Sequence, residues 1–164
     1  MPHTFGPENA TLTVRTKRTG AASKAGHDLL IEVTAWSATL DPDAEPALRL
    51  TADSRSLRVL EGTGGIQALD DDAKAGIAQT IDEEVLAGTP IEFRSTSLEG
   101  ETVEGELELA GERRPISFEL AEGEDGRFTG RATVKQSDWG MKPYTALFGT
   151  LKVADEVEVA FETR

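Results

Sequence analysis

The side chains in this chain that could do chemistry are few and widely spaced. There is no cysteine and there are only two histidines, His3 and His27. Thiolate and disulfide chemistry is therefore excluded, and a metal site would have to rest mostly on carboxylates. His27 and Asp28 stand side by side, residue types that serve elsewhere as a general base and its orienting carboxylate. They fall where a turn enters a strand, and neighbours on a strand project to opposite faces. The pair thus reads as a turn-to-strand hydrogen bond. Asp138, just ahead of Gly140, reads as a turn residue for a similar reason. Gly62-Thr63-Gly64-Gly65 lacks the Lys-Ser/Thr that follows a phosphate loop and reads as a flexible turn. With no nucleophile–base pair, no catalytic residue, cofactor or metal is expected, and the protein reads as a non-enzyme.

Two other groupings have binding chemistry. Arg15, Lys17, Arg18 and Lys24, close to His27, form the one locally positive patch in an acidic chain. Lysine and arginine can meet a phosphate, which makes these five residues candidates for holding a ligand head group; the alternative is a solvated hairpin tip. Trp139, Tyr144 and Phe148 lie in a connector near the C-terminus, between two alternating runs. They form either a hydrophobic gate or a core plug.

The elements that position these residues are mostly strands. Thr11 to Thr16 alternates after a loose start, and Leu29 to Leu40 reads as one long strand, with Ile31, Val33 and Ala35 opposing Glu32, Thr34 and Trp36. Leu48–Ala52 and Leu57–Leu60 follow. Asp70, Asp71 and Asp72 then cap a helix whose Ile77, Ile81 and Val85 recur at helical spacing until Gly88 and Pro90 stop it. This narrow stripe suits a helix laid over the end or flank of a sheet. From Pro90 the period of two returns through Ile91–Thr96, Val103–Leu109, Ile116–Leu120, Phe128–Gln136 and Val157–Phe161.

About eight strands with regular turns and one helix predict an all-β fold, an antiparallel lipocalin-like barrel with one covering helix. Short turns favour up-and-down order. The 164 residues are read as one domain, 1–164. A barrel of this size either fills itself or holds one slender ligand. Gly105, Gly130, Ala132 and Ala35 on the inner face would leave volume unfilled. Ile31, Val33, Phe93, Ile116, Phe118, Phe128, Val134 and Phe161 would line it, with Trp139, Tyr144 and Phe148 at one end.

The net charge of −13 is uneven: residues 1–60 balance seven basic against seven acidic side chains, so the excess acid lies on the later strands. Such a field repels phosphate backbones and anionic membranes, which argues against nucleic-acid binding. No stretch is long enough to span a membrane, and the N-terminus has neither the basic start nor the apolar run of a signal peptide. A cytoplasmic protein without stable membrane insertion is expected, with a homodimer as a permitted assembly.

Four stretches together resemble the YceI-like family. Thr89-Pro90-Ile91-Glu92-Phe93-Arg94-Ser95-Thr96 is similar to the family's strand after the helix. Gly105-Glu106-Leu107-Glu108-Leu109 with Arg114-Pro115-Ile116 resembles its central hairpin. Gln136-Ser137-Asp138-Trp139-Gly140 resembles its (S/R)-D-(F/W)-G turn, and Asp155-Glu156-Val157-Glu158-Val159 its closing strand. The resemblance implies a lipocalin-like barrel that binds a long polyisoprenoid, of quinone or prenyl phosphate type, for sequestration or transport. It implies no catalytic set. Two readings from other classes stand beside it: a filled barrel acting as a stress-related interaction protein, and an enzyme on a lipophilic substrate.

Overall fold

The structure is a computed structural model that describes residues 2–19, 28–63, 70–86, 88–141, 145–146 and 151–163. In chain order the strands are β1 (His3–Phe5), β2 (Ala10–Thr16), β3 (Arg18–Thr19), β4 (Asp28–Val33), β5 (Trp36–Leu40), β6 (Leu48–Ala52) and β7 (Leu57–Thr63). The helix α1 (Asp71–Thr80) follows. Then come β8 (Ile91–Glu99), β9 (Thr102–Leu109), β10 (Glu112–Glu122), β11 (Phe128–Lys135), β12 (Thr145–Ala146), β13 (Leu151–Val153) and β14 (Glu156–Thr163).

Eleven strands form one antiparallel sheet in the order β1-β5-β6-β8-β9-β10-β11-β14-β2-β4-β7, and β12-β13-β3 form a small second sheet. The expected class is correct, a curled antiparallel sheet with one helix, but the strands outnumber the eight anticipated. Connectivity alone requires the curl. β4 and β5 are separated only by Thr34 and Ala35, yet they occupy the tenth and second places in the sheet. Strands that far apart in a flat sheet would be roughly 38 Å apart, whereas two linking residues reach about 11 Å. The sheet must roll until its two ends meet. Backbone bonds stitch that corner: Thr34 N donates to the Ser56 carbonyl at 2.9 Å and Asp53 N to the Ala35 carbonyl at 3.0 Å.

That corner is also where sequence periodicity misleads. Leu29 to Leu40 is not one strand. Ile31 and Val33 are buried at odd positions, Ala35 is exposed, and burial resumes at even positions with Trp36, Ala38 and Leu40. The one-residue phase slip marks the switch from one end of the sheet to the other, so Ala35 contributes nothing to the inner face. The up-and-down order holds only in part: β5 pairs with β6 and β8 to β11 form a meander, whereas β7 leaves this run to pair with β4 at the far edge. The apparently loose start contains β1, whose His3–Phe5 pair with Leu40–Ala38.

Alternation otherwise does what it should. On β9, Val103, Gly105 and Leu107 point inward while Glu104 and Glu106 are exposed. The acidic residues are the outer face of the barrel. α1 is capped by Asp70, whose Oδ1 accepts from Ala73 N at 2.7 Å, with Asp71 and Asp72 favourable to the helix N-terminus. It lies beside edge strand β7, where Lys74 Nζ donates to the Leu60 carbonyl at 3.2 Å. A π-helical turn, Ile81–Val85, carries the chain to buried Leu86, and Ser54 Oγ donates to Asp82 Oδ1 at 2.8 Å. No helix among the described residues is long and apolar enough to cross a membrane.

Candidate lipid-binding lumen

The inner faces of the curled sheet and the covering helix enclose a cavity of about 750 Å³. Its wall is almost entirely aliphatic and aromatic. β2 supplies Leu12 and Val14, β4 supplies Leu29, Ile31 and Val33, and β14 supplies Val157, Val159 and Phe161. α1 and the turn after it close one side with Gly76, Ile77, Thr80, Ile81 and Leu86. Ile77 and Ile81 are only half-buried and no α1 residue is fully buried, so the helix covers the lumen without filling it.

Seven of the residues expected to line a lumen do so: Ile31, Val33, Phe93, Ile116, Phe118, Val134 and Phe161. Phe93 and Phe118 face each other with ring centroids 5.3 Å apart. Phe128 is buried but lies outside the lining, packed 5.7 Å from Phe5 and 5.2 Å from His3. Trp139 is also buried, 2% exposed, and outside the lining. Its Nε1 donates to the Leu107 carbonyl at 2.7 Å, which makes it a wedge against the wall. Tyr144 and Phe148 lie outside the described residues. Of the four expected lumen-widening positions, Gly130 and Ala132 line the cavity. Gly105 does not create space: a Cβ there would strike the Arg94 carbonyl and come 2.6 Å from Phe93 Cζ, because the Phe93 ring lies over the glycine.

Of the basic head-group candidates, Arg18 lines the cavity, while Arg15 and Lys17 are exposed and do not. Strand alternation turns Arg15 away from the face that carries Val14 and Thr16. Lys24 and His27 lie outside the described residues. The sequence reading missed Met141, buried and on the lining just past Gly140, and Thr16 and Gln136 at the strand ends. Thr16 could have been found by continuing the inward series Leu12, Val14, Thr16. Gln136 could have been found from Ala132 and Val134.

Register separates the two ends of the lumen. β2 runs from Ala10, paired with Thr163, to Thr16, paired with Leu29. β11 runs from Phe128 to Lys135, with Gln136 immediately after it. One end therefore gathers Phe5, Phe128 and Phe161, and the other gathers Thr16, Arg18 and Gln136. At the first, Phe161 stands 5.2 Å from Phe5 and 5.9 Å from Trp36, both nearly perpendicular. These contacts close the barrel with interlocked rings.

The opposite end is held by the two C-terminal motifs. Gln136–Trp139 forms a 3-10 turn, and Gly140 ends it with φ of 72°, a left-handed conformation that glycine adopts without strain. The Asp155 carboxylate accepts from Ser137 Oγ and, at 2.8 Å, from Ser137 N. The hydroxyl bond is the main cause that holds its pKa below the ordinary carboxylate value of 3.8; desolvation opposes it, and the backbone bond adds a lesser lowering. Arg114 Nε donates to the Asp138 carbonyl at 3.1 Å. The hairpin, turn and closing-strand motifs are thus one structural joint. Among the described residues no group of three or more His, Asp or Glu is placed to hold a metal ion.

Comparison with known proteins agrees with this architecture. The family model described as the YceI-like domain matches residues 8–164. Among solved structures, the Burkholderia cenocepacia protein BcnA superposes with a TM-score of 0.62 at 16% identity, covering 94% of each chain. A mutant CJ YCEI protein with a monobromobimane guest gives a TM-score of 0.54 at 16% identity, covering 82% of this chain and 84% of that one. A second mutant of the CJ protein gives 0.53 over the same shares. No curated protein sequence matches the chain.

Proposed function

The chain belongs to the YceI-like family, and from that premise we propose that it binds a long-chain isoprenoid lipid in its lumen, for sequestration or transport and without turning it over. The observation that carries this reading is the apolar cavity of about 750 Å³. An apolar cavity of about 150 Å³ takes up benzene, six carbons. In proportion, this lumen has room for about thirty carbons, or roughly six isoprene units.

The energetics suit a tail-dominated ligand. Burying a methylene-sized group contributes about 0.8 kcal/mol. Association costs about 4–15 kcal/mol before any affinity appears, so about four isoprene units are enough to offset it. Branched methyl groups on such a tail find a wall of Val, Leu and Ile. The exposed glutamates on the outer face keep the loaded barrel water-compatible.

Native mass spectrometry of the protein purified from its own host tests the proposal. A co-purified apolar molecule of defined mass, displaced by added polyprenyl lipid, is the expected result. A protein that is empty on purification and takes up no polyprenol, quinone or prenyl phosphate would sink it. Conversion of the bound molecule on incubation would point to an enzyme in the same lumen.

A further inference from the structure

We propose that the polar end of the lumen selects an uncharged head group bearing a hydroxyl (a prenyl alcohol, phenol or hydroquinone) and holds it between Gln136 and Thr16. This rests on the reading of the lumen as a lipid site and specifies which lipid it takes. The argument begins with hydrogen-bond accounting. Gln136 is 6% exposed and lines the cavity. Its Nε2 donates to the Ala154 carbonyl at 3.2 Å. A carbonyl only accepts, so the amide nitrogen must face it, and this fixes the orientation of the side chain. Oε1 is left facing elsewhere as an acceptor, and no described residue donates to it.

Thr16 supplies the complementary group. Its Oγ1 is buried, and among the described residues it has no hydrogen-bond partner. The two side chains belong to one corner: Gln136 bonds to Ala154, whose own N–H donates to the carbonyl of Lys17, the residue after Thr16, at 2.7 Å. A buried polar atom without a partner, as Thr16 Oγ1 is among the described residues, costs about 1–3 kcal/mol, and a ligand that completes it removes that cost.

The chemistry of the two vacant positions decides the head group. A hydroxyl can donate to Gln136 Oε1 and accept from Thr16 Oγ1 at once. A quinone carbonyl can only accept, so it leaves Oε1 bare. A phosphate brings negative oxygens toward that same acceptor. Arg18 also lines this end, while Asp28, whose Oδ1 accepts from Arg18 N at 2.8 Å, is off the lining.

Solvent-extracted protein titrated with geranylgeraniol, its methyl ether and its monophosphate provides the test. The alcohol is expected to bind about three- to tenfold tighter than the ether, the worth of one buried hydrogen bond, and tighter than the monophosphate. Gln136→Leu, which removes the acceptor that only the alcohol can use, is expected to bring the alcohol-to-ether ratio toward one. Thr16→Val, nearly the same shape, should weaken alcohol and ether alike, because both oxygens accept from Oγ1, and it keeps the test decisive if loss of the Ala154 bond unfolds the Gln136 variant. Equal binding of all three probes, or tightest binding by the monophosphate, overturns the head-group assignment and leaves the lipid site standing. If none of the three binds, the lipid reading itself fails and this inference falls with it.

Discussion

The two ends of the barrel are built from different materials. At one, Phe5, Trp36, Phe128 and Phe161 interlock at ring distances of 5.2–5.9 Å. At the other, Thr16, Arg18 and Gln136 reach the cavity from strand ends tied together by backbone bonds. Each end carries one buried polar atom without a partner among the described residues, Trp36 Nε1 and Thr16 Oγ1. Only Thr16 faces the cavity. In a chain with 5% aromatic residues, four of them are gathered at the first end. One end serves closure and the other is available for recognition.

That contrast can be broken at four points. The largest effect is expected at the closed end: Phe5→Ala removes a buried ring with partners on β11 and β14 and should cost about 3–5 kcal/mol, read as a lowered denaturation midpoint. Next is Trp139→Phe, which removes a buried hydrogen bond to the Leu107 carbonyl and part of a buried ring, at a cost of about 1–3 kcal/mol. Lipid stoichiometry should not change, because Trp139 is off the lining; a lost ligand would return it to the site. Gly105→Ala should cost a similar or smaller amount, about 1–3 kcal/mol. Its methyl group displaces the Phe93 ring into the lumen, so the longest tail accepted in a chain-length series should shorten.

The smallest effect is acid sensitivity at the Ser137–Asp155 joint. The folded-state pKa of Asp155 is depressed by its Ser137 bonds, so the unfolded state binds the proton more readily. The stabilisation is present above the ordinary value of 3.8 and is lost as pH falls through the lower folded value. Asp155→Asn should therefore show a flatter stability profile over that acid window than the parent. Parallel profiles would remove Asp155 from the joint.

Much of the wall was legible in the chain because a strand has a period of two and a curled sheet has one inner face. Knowing that Val14 points inward implies Leu12 and Thr16, and knowing Val134 implies Ala132 and Gln136. What defeated the reading were changes of phase and of neighbour. The slip at Thr34–Ala35 looks like continued alternation until β4 and β5 are seen at opposite ends of the sheet. Gly105 looks like empty volume until Phe93 is seen lying across it. Trp139 looks like a gate because large aromatics and turns are common at ligand mouths, and nothing local shows that its N–H reaches the Leu107 carbonyl 32 residues away.

By itself the sequence determined that this is an antiparallel β protein with one capped helix, an acidic outside and an apolar inside. Those properties follow from residue type, period and turn chemistry, which act over a few residues. Only the tertiary structure decided that the sheet closes on itself, that aromatic rings seal one end, and that Thr16 and Gln136 share the other. These depend on contacts between residues more than a hundred positions apart, such as Phe5 with Phe161 and Lys17 with Ala154. Local propensities do not encode that distance; the roll of the whole sheet does.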